Sequence, residues 1–256
     1  MWRIIKLIAL GVLALVTLWI VYEVATFPRV ARLRDHNPET TALIELRNEE
    51  ARGAGKNPKR VQQWVPLQQI SPHLRRAVLA GEDTNFASHN GFDYEALQKA
   101  WDEAEREATK EAKEEGDSDP PSWMATMSNL KRGASTITQQ LAKNLYLTTE
   151  RSFVRKAREA VLTYFLERAL SKRRILEIYL NVIEWGDGVY GAEAAAQTYF
   201  NKPAAQLSER EAAFLSAMIP NPRTVFNPKQ NPRRVARRQR IILRGMPYVK
   251  LPADTN

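Results

Sequence analysis

Apolar residues fall at helical spacing along most of this chain. Val154, Ala157, Val161, Leu162, Phe165, Leu166 and Ala169 lie three and four residues apart, the period of one helix face. Ile175, Ile178, Tyr179 and Val182 repeat the pattern behind Ser171, a candidate N-cap. Ser71-Pro72 predicts another helix start, with serine as cap and proline at the first position. Ser135 is placed to cap a helix that stacks Ile137, Leu141 and Leu145. Ser208-Glu209-Arg210-Glu211 has the capping-box pattern before Ala212-Ala213-Phe214-Leu215, and Pro220 and Pro222 stop that helix. No alternating run of strand length follows residue 28. The pattern predicts one mainly α domain with short connections.

The first 27 residues differ. Leu7 to Tyr22 contains no charged residue, and Ile4 to Tyr22 is nineteen residues with one lysine, Lys6. About 17–25 mostly apolar residues cross a bilayer as a helix. Lys6 lies near one end, where its ammonium reaches the head groups, and Trp2, Trp19 and Tyr22 suit the interfaces. A cleaved signal peptide is the rival reading. It requires small residues at the cleavage site, and Glu23-Val24-Ala25 puts a glutamate there. Residues 1–27 are therefore expected to be a cytoplasmic end and transmembrane anchor, and 28–63 a juxtamembrane linker. Charge does not settle the orientation, because Arg3 and Lys6 precede the run while Arg29, Arg32 and Arg34 follow it.

Composition narrows the chemistry. The 256 residues include no cysteine and three histidines (His36, His73, His89). A disulfide scaffold, a thiol nucleophile and a cysteine-ligated metal are excluded. The net charge of +9 points to an anionic partner. Residues 102–119 are dense in Glu, Lys and Ala, then meet Gly116, Pro120 and Pro121, which reads as a solvated helix running into a loop. Residues 233–244 carry six arginines around Ile241, Ile242 and Leu243. They read as a solvated face or a head-group contact, and 231–256 is set apart as a basic C-terminal segment.

Three polar constellations stand out. Gly81-Glu82-Asp83-Thr84-Asn85-Phe86, followed by Ser88-His89-Asn90-Gly91-Phe92-Asp93, comes directly after an apolar helical run. Adjacent carboxylates at a helix C-terminus repel each other and the partial negative charge there. Such a site raises a carboxylate toward the range a general base needs. A surface acidic turn has the same sequence. Gly133-Ala134-Ser135-Thr136-Ile137-Thr138-Gln139-Gln140-Leu141-Ala142-Lys143-Asn144 opens a helix with hydroxyls and amides, where anions are attracted. Thr136, Gln140 and Lys143 share a face. In Arg151 to Glu159, Arg155 and Glu159 are four apart, so Glu159 is either a salt-bridge hub or part of an anionic-substrate site.

Together these segments resemble glycosyltransferase family 51, the peptidoglycan glycosyltransferases that polymerise lipid II. The resemblance rests on Glu82-Asp83-x-x-Phe86-x-x-His89-x-Gly91-Phe92-Asp93, on Gly133-x-Ser135-Thr136-Ile137-Thr138-Gln139-Gln140-Leu141-x-Lys143-Asn144, on Arg155-Lys156-x-x-Glu159 and on Lys172-x-x-Ile175-Leu176-x-x-Tyr179-Leu180-Asn181. Glu184 to Ala196 looks like the monofunctional branch. Ala134 departs from the usual glycine, and the acidic stretch is longer than usual. The resemblance implies a mainly α, lysozyme-like domain of two lobes over residues 64–230, on the periplasmic side of the cytoplasmic (inner) membrane.

It also implies roles. Glu82 is the base on the acceptor sugar's 4-hydroxyl, and Glu159 is the second essential carboxylate. Asp83, Phe86, His89, Ser135, Thr136, Gln140, Lys143, Asn144, Arg151 and Arg155 line the substrate. No tightly bound cofactor is expected, though Glu159 suits a divalent cation (Mg or Mn) carried by the substrate pyrophosphate. Expected partners are lipid II and the growing glycan, membrane lipids, and division or elongation proteins, with no nucleic acid. A pyrophosphate leaving group needs cations more than a proton donor, whereas a sugar hydroxyl needs a base. A membrane-anchored lytic enzyme is the main rival. It would use a glutamate as acid on an uncharged leaving group and has no need of Lys143 and Arg151. A basic tethered protein binding nucleic acid or anionic lipid leaves the Glu82-Asp83 and Gln139-Gln140 signatures without purpose.

Overall fold

The computed structural model describes residues 2–114, 122, 123, 126, 135–147 and 152–253, with nine side chains inside helices α1 and α4 also left out. The architecture is mainly helical. Helix α1 spans Trp2–Ala25, α2 Ala42–Gly53, α3 Pro72–Glu82 and α4 Tyr94–Glu114. Then come α5 Ile137–Tyr146, α6 Phe153–Ala169, α7 Lys172–Val182, α8 Ala192–Phe200, α9 Glu209–Met218 and α10 Pro232–Gly245.

The caps follow the sequence closely. Ser71 Oγ accepts from the His73 N–H, Ser171 Oγ from Arg174, and Ser208 with Glu211 forms a reciprocal capping box. Helix α5 differs by one residue. Thr136 rather than Ser135 is its N-cap, closing a capping box with Gln139. Threonine wins because its side chain and the Gln139 amide satisfy two orphan N–H groups at once.

The core is one continuous cluster. Leu74, Ala77, Val78 and Leu79 of α3 meet Ile137 and Leu141 of α5, Ile175, Ile178 and Tyr179 of α7, and Ala212, Ala213 and Leu215 of α9, all fully buried. A small sheet, absent from the sequence expectation, has the order β1-β3-β2. In it β1 (Val61–Gln62) runs parallel to β3 (Val189–Tyr190), and β2 (Glu184–Gly186) is antiparallel. Strands of two or three residues leave no room for a readable alternation.

Two segments expected to be peripheral belong to this core. Val30 and Leu33 of the presumed linker are buried in it, and β1 also lies in that linker. The basic C-terminal segment contributes Val235, Ile242, Met246 and Val249. Helix α10 packs on α3 and α9, so its arginines are not all on a solvated face. The apolar stripe of α6 is also divided. Leu162 and Leu166 are buried, while Val154, Val161 and Phe165 are exposed. With Phe27, Pro28, Tyr146 and Phe153 those exposed residues line an apolar groove of about 960 Å³, and Phe27 meets Phe165 edge-on at 5.0 Å.

Helix α1 presents Ile4, Leu7, Leu10, Leu13, Leu15, Leu18 and Val21 more than half exposed. Judged on the described residues alone, no helix is long and apolar enough to cross a membrane.

Candidate active site

Glu82 and Asp83 are neighbours in sequence with opposite surroundings. Glu82 ends α3, and its side chain is 8% exposed. One carboxylate oxygen accepts from Gln140 Nε2 at 2.9 Å, and the other accepts from Arg238 Nη2 at 2.8 Å. The Tyr179 hydroxyl donates to Gln140 Oε1 at 2.8 Å, which fixes the amide so that its nitrogen faces Glu82. Burial holds the Glu82 carboxyl above the usual carboxylate range, against the pull of Arg238, Gln140 and Lys143. Burial also pushes the Tyr179 hydroxyl well up, helped by the charges of Glu82 and Asp83, so it stays a neutral donor.

Asp83 turns the other way. One oxygen accepts the Ile137 N–H at 2.9 Å, at the N-terminus of α5, where a carboxylate is favoured. The other pairs with His89 Nε2 at 2.9 Å. His89 Nδ1 accepts the Gly91 N–H at 3.1 Å, so Nε2 bears the proton donated to Asp83. Thr136 Oγ1 donates to the Gly91 carbonyl at 2.7 Å. Gly91 has φ +90, and a Cβ there would lie 2.7 Å from Thr163, so only glycine fits. Phe86 is fully buried, with Lys172 Nζ 4.4 Å from its ring centroid. Asp83, His89 and Thr136 thus join α3 to α5, and Asp83 and Thr136 also line a cavity beside Glu82. Phe86, fully buried, has no surface to offer a substrate.

Two cavities adjoin this group, one bordered by Gln140, the partner of Glu82, and the other by Glu82 itself. One, of about 210 Å³, is lined by Gln140, Lys143, Asn144, Tyr179, Arg47, Glu184 and Arg223 among others. The second, of about 170 Å³, is lined by Glu82, Asp83, Thr84, Asp93, Ser135 and Thr136. Lys143 is half-buried, and burial lowers its ammonium pKa. Glu159 and Glu82 oppose that shift, while Arg155 and Lys156 add to it. Glu159 is 3% exposed on α6. Arg155 Nη1 donates to one of its oxygens at 2.8 Å, and Lys156 Nζ to the other. The salt-bridge hub is therefore present, and it faces Lys143. Arg151 lies outside the described residues.

Among the described residues, neither carboxylate cluster suits a resident metal ion. A hard divalent cation wants about six oxygens, yet both Glu159 oxygens already hold cationic side chains. Asp83, His89 and Asp93 converge within 4.8 Å. Asp83 and His89 are consumed by each other and by backbone N–H groups, and Asp93 accepts from Ala96 N and Asn85 Nδ2.

Arg238 is not distinguished by the sequence, where it lies inside the run read as a solvated face or a head-group contact. A signal is present nonetheless: Val235, Arg238 and Ile242 are spaced three and four apart, and the two apolar members are buried. Arg47, Glu184 and Arg223, which wall the larger cavity, were also missed. Arg47 Nη2 lies 3.1 Å from Glu184, a pairing of residues 137 positions apart that no local spacing reveals.

Residues 49–118 and 122–247 match the family model described as transglycosylase. The chain belongs to this transglycosylase family. Several relatives are similar over nearly their full length. The biosynthetic peptidoglycan transglycosylase of Laribacter hongkongensis is 42% identical over 250 residues, 97% of this chain and 100% of the relative. Proteins of the same name from an Azoarcus species and from Thiobacillus denitrificans are 43% identical over 253 residues and 45% over 244. Those alignments cover 98% of this chain and 98% of the Azoarcus protein, and 94% and 95% for Thiobacillus.

Proposed function

We propose that this protein is a peptidoglycan glycosyltransferase that polymerises lipid II into β-1,4 glycan for the bacterial cell wall. The names of its relatives support the reaction class. The observation that carries the mechanism is the environment of Glu82. Burial alone would suit a proton donor, as in a lytic enzyme. Arg238, Gln140 and Lys143 oppose the rise in the Glu82 pKa without cancelling it, and a carboxylate raised in this way is what a base on the acceptor 4-hydroxyl needs.

The donor's anomeric carbon carries a pyrophosphate on a polyprenyl chain. Attack by the deprotonating hydroxyl forms the new glycosidic bond as the bond to pyrophosphate breaks, inverting the anomeric centre. The proton goes to Glu82, and the leaving group departs as polyprenyl pyrophosphate. Lys143, beside the Arg155–Glu159 hub, and Arg151 stabilise the charge that develops there. Ser135, Gln140 and Asn144 contact the sugars and phosphates. The lysozyme-like division into two lobes belongs to the same reading.

Helix α1 anchors the domain to the cytoplasmic membrane, with the catalytic part on the outer side where lipid II is polymerised. The uncharged run Leu7 to Tyr22 supports this, and so does the apolar groove beside Phe27. The deciding experiment incubates the purified protein with lipid II and, separately, with finished glycan. Polymer from lipid II, abolished by Glu82→Gln, is the expected result. Cleavage of glycan without polymerisation would select the lytic alternative.

A further inference from the structure

The C-terminal helix α10 reaches the reacting carboxylate. Arg238 Nη2 donates to Glu82 Oε1 and to the Gly81 carbonyl, both at 2.8 Å. The guanidinium thus bridges the end of α3 to the carboxylate that leaves it. Its carbon lies 5.5 Å from the centroid of the Phe226 ring, and Arg238 is 27% exposed against 8% for Glu82. The approach is close by construction. A Cβ on Gly81 would lie 2.8 Å from Ser216 Oγ of α9 and 3.1 Å from Ile242 of α10. Ser216 Oγ also donates to the Ala77 carbonyl at 2.8 Å, locking α9 to α3.

We propose that Arg238 is a positioning residue for the transfer reaction: it holds the Glu82 carboxylate in its proton-accepting orientation and charge state. The proposal rests on Glu82 being the base. Three features support it. Arg238 occupies one carboxylate oxygen and Gln140 the other, so rotation of the carboxylate is blocked from both sides. The guanidinium also covers the α3 C-terminus, whose partial negative charge would otherwise disfavour an ionised glutamate. Finally, the groups facing Glu82 are Arg238 from α10, Lys143 with the neutral Gln140 from α5, Tyr179 from α7, and its neighbour Asp83. Ser216 from α9 is uncharged. Of the two cations, Lys143 faces the Glu159 hub as well, so Arg238 is the one dedicated to Glu82.

The test measures lipid II polymerisation by the full-length enzyme in detergent, as kcat and KM across a pH series. Arg238→Gln removes the charge and keeps a donor. It should lower kcat roughly tenfold or more, short of the ~10²-fold or larger loss expected without the base itself. It should also move the acidic limb of the profile to higher pH and leave KM nearly unchanged. Arg238→Lys should return the limb toward its original position with only part of the rate, because an ammonium lacks the guanidinium fork. Arg237→Ala, one residue away and exposed, should behave as the unaltered enzyme. If Arg238→Gln does not fold, Arg238→Met carries the same measurement, since its unbranched side chain still packs beside Phe226. An unmoved limb in the folded variant overturns the proposal, as does equal loss in the Gln and Lys variants. Either leaves Glu82 as base intact if Glu82→Gln is inactive. Activity in Glu82→Gln would instead remove the mechanism on which the proposal rests.

Discussion

Glu82 and Glu159 are both buried carboxylates held by cations, yet they are built in different ways. Glu159 is served by its own helix: Arg155 is four residues before it and Lys156 three. Glu82 draws Gln140 from 58 positions away and Arg238 from 156. Glu159 therefore forms its pairs as soon as α6 forms. Glu82 acquires its partners only when α3, α5 and α10 have docked. The first arrangement suits a fixed electrostatic wall, and the second a group whose proton affinity is set by tertiary structure.

The largest expected effect tests the Glu82 side. Glu82→Gln should reduce polymerisation at least ~10²-fold without loss of the fold, measured on lipid II and by circular dichroism. The same variant should keep or raise the melting temperature. Burial raises the Glu82 pKa in the folded state, so the folded protein binds more protons than the unfolded chain between the ordinary and the raised value. Stability then falls as pH rises through that window, and an uncharged amide escapes the loss. A fall in Tm at neutral pH would contradict this.

Next comes Lys143→Ala, which removes the cation between the two carboxylates. It should lower kcat by about 10²-fold, the effect of deleting one electrostatic donor, more than it raises KM. A pure KM effect would assign Lys143 to ground-state binding. Glu159→Gln should differ from Glu82→Gln in stability. It leaves Arg155 facing a neutral amide in a buried site and should cost roughly 1–3 kcal/mol, read from urea unfolding. If both glutamine variants shifted stability in the same direction, the contrast between local and tertiary construction would fail. The smallest effect belongs to the anchor. Protein starting at Thr26 should stay folded and polymerise lipid II in detergent, only more slowly, because α1 supplies no reacting group.

This contrast also explains what was legible in the sequence. The helices, three of their caps and the Arg155–Glu159 pair follow from spacings of three and four, which any reader of the chain sees. Glu82 stood out because adjacent carboxylates at a helix end are unfavourable without a purpose. Its partner Arg238 did not, because six arginines within twelve residues hide the one whose helix face carries Val235 and Ile242. Asp83, Phe86, His89 and Thr136 were read as substrate contacts. Sequence cannot distinguish a residue that touches a ligand from one that holds such a residue in place. Only for Phe86, fully buried, does burial decide the matter, and burial is a property of the assembled fold. The two-residue strands left no periodic signal at all.

The hydrogen bond between Thr136 and the Gly91 carbonyl joins residues 45 positions apart. The chain leaves the site at Gly91, passes through the acidic helix α4 and the residues after it, and returns at Thr136. Asp83 and His89 tie the same two ends. The two ends of that excursion are therefore bonded to each other. The free energy of closing a flexible loop changes only slowly with its length, by about 0.6 kcal/mol per doubling. Changes on the exposed face of α4 therefore leave the spacing of Glu82 and Gln140 in place. A chain so arranged can accommodate differences in its surroundings in one place while the chemistry next door stays fixed.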